Sequence, residues 1–262
     1  MTRERLSKNS AFTLVELLTV IAIIGILAAL LLAAISQVKG RALRIQCANN
    51  VRQLGIGLQA FVTENNHYPL YVARSQGTWE NVLRSTELPP LVNSTNRIRF
   101  SEWIGQNVWK CPAAHKPSSL TNSAYYSYGY NSIGANMNMH SDTNSFGLGG
   151  NHFWPPAQPV NELEVASPSE MMAIGDGFYG GYGVIGDGSR WFGRAHGINN
   201  LSGNLPGSTQ RAYARHQGKA NVVFCDGHVG SPTLKFLFED TRDEALCRWN
   251  RDHLPHREKL AP

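Results

Sequence analysis

Phe12-Thr13-Leu14-Val15-Glu16-Leu17-Leu18 opens a run of predominantly apolar residues that continues to Ile35, with Glu16 as its single ionisable group. As a helix the run extends about 36 Å, enough to cross a hydrocarbon core of about 30 Å with some tilt. A short leader carrying Arg3, Arg5 and Lys8 precedes it. A secretory signal would show a shorter apolar core with the small-residue cut behind it, so this pattern predicts a retained membrane helix.

Past Ile35 the pattern changes from continuous to periodic. Lys39, Arg41, Arg44 and Arg52 come before any further acid, as expected where long basic side chains snorkel through lipid head groups. Ile45, Ala48, Val51, Leu54 or Gly55, Leu58, Phe61 and Val62 then recur at three- and four-residue steps, which predicts that the same helix continues with one apolar stripe. Asn65-Asn66-His67-Tyr68-Pro69 supplies its stop. A helix from Phe12 to about Asn65 would be on the order of 80 Å long.

The remaining chain reads as strands and turns. Ala220 to Cys225 reads as a strand, and Asp226-Gly227 predicts a two-residue hairpin turn before His228-Val229. Ser167-Pro168-Ser169-Glu170 predicts one helical turn feeding a strand from Met171. Thr121 to Pro159, rich in Ser, Asn, Gly and Tyr, has no clean period and predicts a large surface loop, either a partner-binding face or a variable insertion.

Glu16 is the anomaly within the apolar run. A carboxylate in hydrocarbon costs a few kcal/mol and needs a partner. Nothing nearby in the run supplies one, so the predicted partner is a cation from outside it, most simply the α-amino group of a neighbouring copy whose chain starts at Phe12. Phe12 through Glu16, after the small residue Ala11, resembles the type IV prepilin family residue for residue. That resemblance implies leader cleavage between Ala11 and Phe12 by a membrane prepilin peptidase that also methylates the new amino terminus, and pairing of Glu16 with the amine of an adjacent subunit during assembly. Ala11 stands where the family usually has glycine.

A second resemblance covers more of the chain. Cys47 to Pro69 is similar to the segment after the anchor in prepilin-type proteins that also carry a His-x9-Asp-Gly segment, and these are similar in their first half to pseudopilin G of type II secretion systems. His216, Asp226 and Gly227 form that segment here. Trp109-Lys110-Cys111-Pro112, Ser127 to Asn131, and Pro168 to Met171 leading to Gly175-Asp176 agree with the same group. For His216 and Asp226 the residues themselves suggest structural hydrogen bonds ahead of metal ligation. The resemblance to pseudopilin G implies a calcium site, for which Asp176, Asp187 and Asp226 are weak candidates without EF-hand spacing. Zinc through His196, His216 and His228 has less support, and no Cys-x-x-Cys pair occurs.

Composition narrows the classes. Charged residues are 16% of the chain and glycines number 25, which fits a loop-rich, β-containing exported body. The formal charge is +5, of which the leader's three basic residues and one acid account for two, a weak argument for nucleic-acid binding. Four cysteines follow the anchor. They allow three pairings, of which Cys47 with Cys111, tying helix to body, and Cys225 with Cys247 is preferred, with buried free thiols as the other arrangement. A Gly-x-Ser-x-Gly elbow, a His-Glu-x-x-His pair and a Walker ending are all missing, so no enzyme emerges.

The expectation is an α+β, pilin-like chain: residues 1–11 a leader, 12–36 a membrane-spanning helix, 37–66 its periplasmic continuation, and 67–262 an antiparallel β-sheet head with long loops. It would be a single-pass inner-membrane protein with its head in the periplasm or on the cell surface. Its expected partners are the prepilin peptidase/N-methyltransferase, other pilin or pseudopilin subunits, inner-membrane lipid and secretion platform proteins, with no specific nucleic acid. The resemblance implies a subunit of a secretion pseudopilus or pilus. The alternatives are a minor pilin or surface-displayed protein binding DNA, glycan or another cell, and an anchored periplasmic hydrolase.

Overall fold

A computed structural model describes residues 13–73, 77–88, 98–99, 106–113, 128–135, 146–150, 158–177 and 215–259. The chain divides into two compact units, residues 1–42 and 43–262. Helix α1, Leu14–Asn65, begins in the first and ends in the second.

In the first unit the large apolar side chains from Leu14 to Leu32 are all at least 45% exposed, a surface that water does not tolerate over such a length. Thr13 caps this end of α1: Leu17 N–H donates to the Thr13 carbonyl and Glu16 N–H to Thr13 Oγ1, 3.2 Å each. By length and composition the helix can cross a membrane.

In the second unit α1 becomes one-sided. Cys47, Asn50, Val51, Leu54, Leu58, Phe61 and Val62 are buried, whereas Ile45, counted in the predicted stripe, is 63% exposed because the stripe runs through Cys47 in its place. The helix stops where the sequence predicts. Asn66 takes a left-handed conformation (φ 57°) and its N–H bonds the Val62 carbonyl at 2.7 Å.

The stripe packs on a four-stranded antiparallel sheet in the order β5-β6-β7-β8, formed by Tyr128–Tyr130, Met172–Asp176, Val222–Phe224 and Val229–Gly230. Two small antiparallel pairs precede it: β1 (Val72–Ala73) with β2 (Gly77–Thr78), and β3 (Glu87–Leu88) with β4 (Ile98–Arg99), with helix α2 (Trp79–Ser85) between β2 and β3. Strand alternation explains the two cores. On β7, Val223 joins α1, Trp79, Tyr128 and Tyr130, while Val222 and Phe224 face Leu234, Leu237 and Trp249. Leu234 and Leu237 belong to helix α3 (Leu234–Phe238), which Thr233 caps through the Phe236 N–H. Helix α4 (Asp243–Cys247) follows. The α+β, pilin-like layout is therefore present, with the sheet covered on both faces.

Two predicted loops differ. The Thr121–Pro159 stretch contributes core: β5 lies in it, Leu148 is fully buried, and the Tyr130 hydroxyl donates to the carbonyls of Pro69 and Leu148 at 3.1 Å each. Buried Tyr and Gly at a three-residue strand leave too short a run for a period to show. The hairpin after β7 closes through three residues, Cys225 to Gly227, in place of two: Phe224 N–H bonds the His228 carbonyl (3.0 Å), Gly227 N–H bonds the Phe224 carbonyl (2.9 Å), and Gly227 sits at φ 89°. That is a turn with a glycine bulge, which the Asp-Gly pair serves equally well. The turn before β6 is a single one, with Glu170 and Met171 N–H groups on the Ser167 carbonyl.

Candidate functional site

At the start of α1, Glu16 Oε2 accepts from both the N–H and the Oγ1–H of Thr13, 2.8 Å each. With Glu16 N–H returning to Thr13 Oγ1, this is a Thr-x-x-Glu capping box. The expectation that the run itself offers the carboxylate no partner is corrected: Thr13 offers two hydrogen bonds, though no charge. Ala11 and Phe12 lie outside the described residues.

The second site is buried at the end of β6. The strand is covered along its whole length, so Asp176, its last residue, has no exposure and must be met by protein donors. Arg215 Nη2 donates to Oδ1 at 2.6 Å while its Nη1 holds the Gly177 carbonyl at 3.0 Å. Asn221 donates to Oδ2 through its backbone N–H (2.7 Å) and its Nδ2 (3.2 Å). Burial alone would raise the Asp176 carboxyl; the Arg215 guanidinium, then hydrogen bonds from His216 and Asn221, more than reverse this and hold it below the ordinary carboxylate value.

His216 completes the cluster. Its Nε2 lies 3.4 Å from Asp176 Oδ2 and 3.2 Å from Cys111 Sγ. His216 (φ 55°), Gln217 (φ 58°) and Gly218 (φ 74°) form a left-handed run that turns the ring inward, a conformation held by the burial of Arg215 and His216. Cys111 is bonded to Cys47 of α1 in a disulfide. Asn50, one turn after Cys47, donates from Nδ2 to the Lys110 carbonyl at 3.0 Å, so helix and segment 110–111 are joined twice.

This geometry is no catalytic triad. A relay needs the carboxylate on one ring nitrogen and the nucleophile on the other, whereas Asp176 and Cys111 both address Nε2 and the sulfur is in a disulfide.

The other sequence candidates fall elsewhere. Asp226 sits on the exposed hairpin, its Oδ1 accepting from His228 N–H (3.1 Å) and lying 2.6 Å from His228 Nδ1, with the His228 ring stacked on Phe224. The His-x9-Asp-Gly segment thus sends His216 into the core and Asp226 to a surface turn. Asp176 is filled by cationic and amide donors, an arrangement unlike the cage of oxygens that calcium requires. Asp187 and His196 lie outside the described residues. Cys225 and Cys247 are free buried thiols, which corrects their expected pairing: Cys225 lies in the core beneath α1 with Tyr68, and Cys247 ends α4 outside that cluster. Arg215, Asn221 and Thr13 were not singled out by the sequence. The detectable signals were an acid closing an otherwise apolar strand, and the Thr-x-x-Glu spacing.

Comparison with known proteins gives two matches. Residues 6–32 match the family described as the prokaryotic N-terminal methylation motif. Over 102 residues the chain is 29% identical to the type II secretion system core protein G of Escherichia coli (strain K12), a stretch that covers 39% of this chain and 68% of that protein. No solved structure matches the chain.

Proposed function

We propose that this prepilin- and pseudopilin-like protein is a structural subunit of a type II secretion pseudopilus, cut before Phe12, methylated on the new amino terminus, and assembled through α1. The observation that carries the reading is the exposed apolar half of α1 with one carboxylate at its start. Such a surface is stable in lipid or against sister helices, and leaves the bilayer only when identical helices replace the lipid around it.

Processing to Phe12 keeps Thr13, so the capping box survives the cut and the helix begins two residues after the new terminus. The amine of a neighbouring subunit then supplies the charge that Thr13 lacks. Prepilin peptidase, sister pseudopilins and the secretion platform are the partners this reading requires, with the anchor in the inner membrane and the second unit in the periplasm. The role is architectural and not enzymatic.

Two measurements test it. Mass spectrometry of the membrane-extracted chain should find an amino terminus at Phe12 bearing one methyl group; an intact leader overturns the processing step. Glu16→Ala should be exported and cut normally yet be depleted from sheared filaments, and wild-type incorporation of that variant overturns the pairing.

A further inference from the structure

Among the described residues, the exposed large apolar side chains of the second unit are Ile45 (63%) and Ile56 (45%) on α1, Leu163 (88%) and Leu254 (54%). We propose that Leu163, with its neighbour Glu162, docks on the Ile45–Arg52–Ile56 face of α1 in a second copy of this chain. This contact joins second units and is separate from Glu16; it rests on the filament reading above and adds a surface to it.

Leu163 stands on a rigid support. Its short 3-10 turn, Glu162–Glu164, is closed by a capping box in which Asn161 Oδ1 accepts from Leu163 N–H at 2.9 Å and Glu164 Oε1 from Asn161 N–H at 2.8 Å. Backbone bonds fasten the turn to the end of α1: Glu162 N–H donates to the Asn66 carbonyl (3.1 Å) and Tyr68 N–H to the Val160 carbonyl (2.8 Å). Ala166 N–H holds the Arg251 carbonyl at 2.7 Å, and Arg251 Nε lies 3.4 Å from Glu164 Oε2. A leucine fixed in water this way is already ordered for a partner, so docking it costs little further conformational entropy.

The receiving face lies on the outer side of α1. Ile45, Arg52 and Ile56 are seven and four residues apart and so share one side of the helix, away from the buried stripe. No acid occurs in α1 between Glu16 and Glu64. Arg52 is exposed and has no ionic partner among the described residues; Glu162, half-buried on the turn, has none either. An apolar tip beside a carboxylate therefore matches an apolar pair around a guanidinium.

Within one copy the two patches do not meet. Leu163 is almost fully exposed, and its turn hangs on Asn66, about 15 Å along the helix axis from Ile56 and about 32 Å from Ile45. Copies inserted in one membrane with the same orientation have parallel helices, so a neighbour displaced along the axis by such a distance brings its turn to this face. Each copy then gives its turn to one neighbour and its helix face to another. That is a heterologous contact, which extends into a filament instead of closing on itself.

The experiment pairs two full-length chains with different tags in the native membrane, one carrying Leu163→Cys and the other Ile56→Cys, and treats them with a short bismaleimide. A dimer bearing both tags is expected, and a ladder when one chain carries both substitutions. The unsubstituted chain, whose free thiols Cys225 and Cys247 are buried, sets the background. Arg52→Glu should lower the yield at least about fivefold, and Glu162→Arg in the partner should restore it. Equal cross-linking by Lys235→Cys, exposed on α3, in place of Leu163→Cys overturns the proposal, as does a Leu163→Cys product made only with a chain of another mass. Ile21→Cys, Ile24→Cys and Leu27→Cys report packing of the apolar half of α1 separately. Products there without a Leu163–Ile56 product overturn this inference alone; no product at either place overturns the filament reading and this contact with it.

Discussion

A Cβ on Gly55 of α1 would come within 2.5 Å of Cγ2 of Val223 on β7, so helix and sheet meet at a distance only glycine permits. Val223 is β-branched and fully buried, and cannot swing aside as a long flexible side chain would.

Gly55→Ala therefore sets a helix-propensity gain of up to about 1 kcal/mol against overpacking of about 1–3 kcal/mol, for a net loss of stability. In combination with Val223→Ala the methyl collision disappears, and the two changes should be less harmful together than their sum by about 0.5 kcal/mol or more. Chemical denaturation of all three variants measures this; strict additivity would mean the two residues do not touch.

The Asp176–Arg215 pair predicts a pH effect. Because the folded carboxyl lies below its ordinary value, its contribution is complete above about pH 4, the unfolded range, and is lost as pH falls through the folded value. Asp176→Asn leaves Arg215 as a buried charge without its carboxylate, at a cost of about 3–5 kcal/mol. Acid titration of stability should show the wild type falling more steeply than the variant below pH about 4.

The Cys47–Cys111 bond closes a loop with a sequence separation of 64, for which the chain-entropy estimate is about 4 kcal/mol. Cys47→Ser with Cys111→Ser, compared with wild type, should lose stability of that order. Tryptophan fluorescence should follow the change, since Trp79 and Trp109 lie 6.0 Å apart in the same core cluster.

Burial pushes the Cys225 thiol up to about 12, and burial together with Asp243 and Asp252 also raises Cys247. Thiol reagents at pH about 8 should leave both unlabelled in the native chain and label both once it is unfolded without reductant. No labelling after unfolding would restore the disulfide that the sequence suggested.

What the sequence displayed was mostly local. The end of α1 was legible because Asn66 and Pro69 act within one turn of it, and the anchor because lipid demands a long unbroken run. The capping box is equally local, but an acid in an apolar run demands a charge, and a hydroxyl three residues earlier supplies none. Long-range partners left fainter marks. Asp176 closes an apolar strand and so had to meet a cation, yet its Arg215 lies 39 residues away and the left-handed turn that aims His216 depends on packing. The hairpin was recognised, but its loop length was not, because Asp-Gly serves two- and three-residue turns alike.

Both Thr13 bonds to Glu16 end on the same oxygen, Oε2. The carboxylate therefore divides its labour: one oxygen starts the rod, and on this exposed side chain the other is left for whatever donor arrives. Nothing has to be given up locally for a newcomer to be received, so the proposed addition of a subunit would proceed without first fraying the helix that carries it.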